Sequence, residues 1–174
     1  DLKKASLEKA TAAGLDGWSK DDLFWVSDLG FRILAHIFHL IENTAQWPVG
    51  LTYARAAFLS KDAHDKGNPK SYRILKITSA LYRLWASVRV QDLAPWIRTW
   101  ADEAMFAGVP GAGAEEAWFR TSLEFENKRL TGAHLIAGSV DVFKCFDQIV
   151  RPLVVKLAES AGIPVNICLL YTSD

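Results

Sequence analysis

The sequence predicts an α+β fold in which helices dominate. Three observations carry this. Apolar residues recur at helical spacing over several long segments, notably Phe24, Leu29, Ile33, Leu34, Ile37, Phe38 and Ile41. Two short runs with strand character, Tyr53 to Ser60 and Tyr72 to Thr78, bracket a polar stretch containing Gly67, Asn68 and Pro69. A third apolar run, His134 to Asp141, ends in a carboxylate and reads as a buried strand.

Leu2 to Ala13 reads as a short helix that stops at Gly14, and Gly14 to Gly17 is turn chemistry. Ser19, with Asp21 and Asp22 in the next turn, is a helix start. The periodicity then predicts one long amphipathic helix to about Asn43, punctuated by Pro48 and Gly50. Tyr53 to Ser60 is ambiguous between strand and helix, whereas Tyr72 to Thr78 alternates as a strand does. Together they suggest a hairpin near residues 53–78 with a basic loop. Ser79 to Ala101 is helical with a kink or break at Pro95. Gly108 to Gly113 is a loop, Ala114 to Leu130 a helix closed by Gly132, and Val150 to Ala161 a helix capped by Gly162 and stopped by Pro164.

Composition excludes several classes. The 174 residues are 50% hydrophobic and 23% charged, ordinary values for a globular chain with a core. Apolar runs are short and broken by charges, so no membrane span is expected, and the cysteine usage suggests an intracellular location. Cys145 and Cys168 make no disulfide framework and read as free thiols. His36 and His39 read as helix-surface or core residues rather than ligands. Net charge is zero, but residues 51–100 hold nine Lys/Arg against three acids, a net of +6, between flanks of −2 and −4. That centre suits a surface meeting phosphates, or equally a solvated face.

The segment Gly138 to Arg151, GSVDVFKCFDQIVR, is the most informative. A carboxylate at a strand end, such as Asp141, can hold a hard cation on rigid backbone, and Mg²⁺ takes one or two carboxylates plus phosphate oxygens and water. Alone, the same Asp reads as a turn or a helix cap. The stretch Asp141-Val142-Phe143-Lys144-Cys145-Phe146-Asp147, however, resembles the D-x-x-x-x-F-D block of the reverse transcriptases of non-LTR retrotransposons and group II introns. Further blocks resemble that family in its order: Ala13 to Gly17, then Trp47-Pro48 with Phe58 to Lys61, Ser71 to Ile74 followed by Tyr82 to Leu84, and Gly108 to Trp118.

The resemblance implies the fingers and partial palm of a right-hand polymerase, an RNA-directed DNA polymerase that extends a DNA or RNA primer on an RNA template with deoxynucleoside triphosphates. It implies that Asp141 is a ligand of Mg²⁺ or Mn²⁺, two ions in the intact enzyme, and that Phe146 is the steric gate against a ribose 2′-hydroxyl. Lys61 and Arg73 would grip the triphosphate. On this reading residues 1–130 are fingers with the start of the palm, and 131–164 the partial palm. Residues 165–174 are a tail in which Cys168 to Asp174 (CLLYTSD) resembles a translated sequencing adapter and is expected to be non-native. The chain departs from the family pattern at Ile74, where proline is usual, and in the glycine-rich block, where Val109 and Ala112 stand and both basic residues are lost. No paired-aspartate block follows Asp141, so the chain as it stands is expected to be inactive. The alternative is a non-catalytic RNA-binding module derived from the same fold.

Overall fold

The computed structural model describes residues 12–61, 67–143 and 145–172, with Lys20, Phe146, Asp147 and Thr172 described in backbone only. The expected helix from Leu2 therefore lies outside the described residues, apart from Ala12 and Ala13, which are not helical. The chain forms two compact units, 1–88 together with 150–174, and 89–149. These cut the chain elsewhere than the fingers and palm boundaries suggested by the sequence. They follow contact density, whereas those names refer to function.

In the first unit, α1 (Lys20–Phe24) opens on a capping box. The Asp22 amide donates to Ser19 Oγ at 3.2 Å, and the Ser19 amide to Asp22 Oδ2 at 2.8 Å. These bonds hold the Asp22 carboxyl below its usual pKa, the Ser19 hydroxyl being the larger cause. The sequence predicts one continuous helix from here to Asn43, and the structure corrects this. Ser27 is extended (ψ 162°) and its Oγ accepts the Gly30 amide at 3.2 Å, so a second N-cap starts α2 (Asp28–Thr44). Hydrophobic periodicity runs through the break and hides it.

The short α3 (Val49–Thr52) follows Pro48. Next come β1 (Arg55–Ser60) and β2 (Tyr72–Ile77), antiparallel, pairing Arg55 with Ile77 through to Ser60 with Tyr72. A 3₁₀ turn at Pro69–Ser71, capped by the Asn68 side chain accepting from the Lys70 amide at 3.0 Å, leads into β2. The expected hairpin is thus present, and the ambiguous YARAAFLS run is a strand from Arg55. Helix α4 (Ala80–Trp100) starts in this unit and continues into the other, with Pro95 accommodated inside it rather than ending it.

The core of the first unit is built from Leu23, Phe31, Phe38, Ile41, Trp47, Ala80, Leu84, Trp85 and Leu170. Trp47 lies 5.0 Å from Tyr82 and 5.1 Å from Trp85, centroid to centroid. Both indoles find polar partners, as buried Trp requires: Trp85 Nε1 donates to Glu42 Oε1 at 2.7 Å, and Trp47 Nε1 to the Leu170 carbonyl at 3.1 Å. Leu170 belongs to α7 (Val165–Thr172), which follows α6 (Arg151–Ser160) across a turn with Gly162 at φ 92°. The segment expected to be a foreign tail is, over its described residues, a helix that fills the core. Leu170 is 1% exposed, and Tyr171 packs 5.0 Å from Trp85. Cys168 is buried and in no disulfide, and burial raises its thiol pKa, reinforced by Glu159.

The second unit holds the end of α4, a loop with Gly108 (φ 73°) and Gly111 (φ 86°), and α5 (Ala114–Thr131). Gly132, at φ 67°, caps α5 in the left-handed conformation, its amide donating to Arg129, while the Ala133 amide reaches Lys128 at 3.0 Å. The strand expected at 134–141 is not formed. Residues 133–142 carry no ladder, and Ile136 and Val140 are 97% and 94% exposed. A strand needs a neighbour to take its amides and carbonyls, and the apolar pattern alone cannot supply one. Among the described residues no helix is long and apolar enough to cross a membrane.

Candidate functional site

Residues of the first sequence block and of the start of α4 meet in the first unit. Gly14 is buried, and a Cβ there would lie 2.8 Å from the Thr78 carbonyl and 3.0 Å from Ser79 Cα, so only glycine fits. Two residues on, Asp16 Oδ2 accepts from Ser79 Oγ at 2.6 Å, and the same hydroxyl accepts the Leu81 amide at 3.1 Å. Ser79 therefore caps α4 and is itself oriented by Asp16. Arg83 Nη2 donates to the Ala12 carbonyl at 2.8 Å. The Trp-Pro block joins the same assembly through the contacts of Trp47 with Tyr82 and Trp85. Along the sequence these blocks stand apart. Their meeting has no local signal, because residue partners some 60 positions apart leave no periodicity.

The hairpin places the two expected phosphate ligands. The register sets Arg73 opposite Leu59, and the Lys61 amide donates to the Ser71 carbonyl at 2.7 Å. With side chains alternating across the pleat, Lys61, Leu59 and Arg73 share one face. Lys61 and Arg73 are then diagonal cross-strand neighbours, about 7–8 Å apart at the backbone. Both are exposed, and Lys61 Nζ also reaches the Lys70 carbonyl at 3.3 Å. Arg73 has no ion-pair partner among the described residues. Lys76, opposite Ala56, lies on the other face with Phe58 and Ile74, while Lys66 is outside the described residues. The helical arginines point to internal duty: Arg83 holds Ala12, and Arg89 pairs with Asp92 at 2.7 Å.

In the second unit Asp141 is exposed in the stretch without regular structure, and the backbone of Phe146 lies in a 3₁₀ turn, Cys145–Gln148. The gate assigned to the Phe146 side chain lies outside the described residues, as does Lys144. Asp141 can serve as one oxygen ligand to a hard cation. Among the described residues no three His, Cys, Asp or Glu side chains group as a metal set, so these residues do not fit a two-ion centre. In the glycine-rich loop the Ala112 amide is taken by the Val109 carbonyl at 3.1 Å and is not free for a phosphate. At the head of α5, Arg120 pairs with Glu116 at 2.7 Å and stacks over Phe106, 5.5 Å from its centroid.

No family model matches the chain, and no curated protein matches it. The reverse-transcriptase resemblance thus rests on the sequence blocks.

Proposed function

We propose that this chain is the fingers and first palm block of an RNA-directed DNA polymerase of the non-LTR retrotransposon or group II intron type. The observation that carries the reading is the hairpin register. Arg73 lies in that register opposite Leu59, and the Lys61 amide's bond to the Ser71 carbonyl carries the pairing one residue past β1, which brings Lys61 diagonal to Arg73. A planar guanidinium and a mobile ammonium at that spacing suit adjacent phosphate oxygens of a nucleoside triphosphate. The joining of the first and second blocks to the start of α4, which follows directly on β2, also supports the reading. Asp141 would be one carboxylate of a divalent-metal centre whose other ligands this chain does not supply.

The test is equilibrium binding of a deoxynucleoside triphosphate to the chain at low salt. Lys61→Ala and Arg73→Ala should each weaken binding about tenfold, the loss of one charge-assisted hydrogen bond. Lys76→Ala, on the opposite face, should change it less than about twofold. Wild-type affinity in both Lys61→Ala and Arg73→Ala would refute the assignment.

A second reading, a non-catalytic RNA-binding module, draws on one observation. The hairpin and its turn expose Arg55, Lys61, Lys70, Arg73 and Lys76. It predicts that all five substitutions weaken RNA binding alike and lower its salt dependence together.

A further inference from the structure

The hairpin has two faces, and Lys61 and Arg73 occupy only one. On the other lie Ala56, Phe58 and Ser60 of β1 and, opposite them in the register, Lys76, Ile74 and Tyr72 of β2. Phe58 is 63% exposed and Ile74 64%. The neighbours of Phe58 leave its ring open. Ala56 and Ser60, two positions away on either side along β1, are too short to cover it. Tyr72, diagonal to Phe58 across the ladder, meets it at 86° with centroids 6.5 Å apart, so the two rings stand perpendicular rather than stacked flat. Lys76 is the diagonal neighbour on the opposite side, about 7–8 Å from Phe58 at the backbone, and it is exposed.

Charge decides what kind of partner suits this ring. The chain as a whole has no net charge, yet residues 53 to 78 hold six Lys or Arg against two Asp. Such a hairpin attracts a polyanion and repels a basic partner. A polyanion that also offers a flat apolar face at every repeat is a nucleic acid, whose base can lie on Phe58 while a neighbouring phosphate meets Lys76. In a duplex each base face is already stacked on the next pair, so only an unpaired base is available to the ring.

We infer that Phe58 is a base-stacking residue, and that the face formed by Phe58, Tyr72, Ile74 and Lys76 binds single-stranded nucleic acid. Binding there requires none of Lys61, Arg73 and Asp141. It differs from the even loss across the basic residues expected of a non-catalytic module, because an uncharged side chain on one face carries it.

The experiment is fluorescence anisotropy at low salt with a labelled oligouridylate of about 12 residues, within the range of a single-strand site, and an RNA duplex of equal length as comparison. Phe58→Ala should weaken binding of the single strand about tenfold, the loss of one base stack, and change duplex binding less than about twofold. Phe58→Trp should bind within about twofold of wild type, and its added indole emission should be quenched by the oligouridylate. Lys76→Ala should lower the slope of log affinity against log salt by about one. Circular dichroism should be unchanged in all three, since both positions are exposed. Deoxynucleoside triphosphate affinity should be the same in Phe58→Ala as in wild type, which separates this face from the triphosphate grip. Wild-type oligouridylate affinity in Phe58→Ala would overturn the inference. So would equal losses on single strand and duplex, or a dimer of the chain by light scattering that Phe58→Ala dissociates, since a second copy would then cover the ring.

Discussion

Leu170 offers the sharpest test of how the first unit is held together. By sequence it sits in CLLYTSD, a stretch expected to be foreign to the fold. In the structure its side chain is 1% exposed in a core with Trp47, Leu84 and Trp85, and its carbonyl accepts the Trp47 indole. Replacing a buried leucine by alanine removes its transfer free energy and leaves a cavity, costing about 2–5 kcal/mol. The backbone carbonyl survives, so the Trp47 hydrogen bond is not what is lost. For a chain of this length each kcal/mol moves Tm by about 2–4 °C, so Leu170→Ala should lower it by roughly 4–20 °C. The neighbouring Leu169, 44% exposed, is the internal control, and Leu169→Ala should move Tm by no more than about 1–2 °C. The assay is thermal unfolding by circular dichroism with tryptophan fluorescence in parallel. Equal, small shifts for the two variants would refute the packing of α7.

Other outcomes follow from the same contacts. Gly14→Ala drives a methyl against the Thr78 carbonyl and Ser79 Cα and should cost about 1–3 kcal/mol in urea unfolding. In the longer polymerase proposed here, Asp141→Asn should abolish primer extension with stability unchanged within about 0.5 kcal/mol, since the side chain is exposed; Phe146→Ala should raise ribonucleotide incorporation in the same assay. Burial raises the Tyr82 phenol above its ordinary value. The folded state therefore favours the neutral ring, and its contribution is whole below the unfolded pKa of about 10 and lost as pH rises through the folded one. Denaturant midpoints from pH 8 to 11 should fall more steeply at the alkaline end for wild type than for Tyr82→Phe.

Elements with a strong local signal were legible. Ser19 with Asp22 announces its helix, Asn68-Pro69 ahead of the alternating Tyr72 to Thr78 announces the hairpin, and Gly132 closes α5. Three features were not. Ser27 begins a new helix in the middle of an unbroken periodicity, because a serine hydroxyl capping Gly30 leaves the apolar pattern intact. His134 to Asp141 has the composition of a buried strand but no ladder partner, and strand formation is a property of pairs. The helix over Val165–Thr172 was not expected, because Ile167 to Tyr171 are five consecutive apolar residues and such a run carries no helical period. For the candidate site, the shared face of Lys61 and Arg73 follows once the hairpin register is known. The link between Asp16 and Ser79 does not, because it depends on how α4 meets the first turn.

The central proposal, that Asp141 opens a polymerase palm, is tested most directly by reading the parental coding sequence in frame beyond Pro164. The account predicts a Gln-Gly palm block and then a paired-aspartate block, aromatic-Ala-Asp-Asp in form. A natural stop codon shortly after Pro164, or a long continuation without paired aspartates, would contradict it.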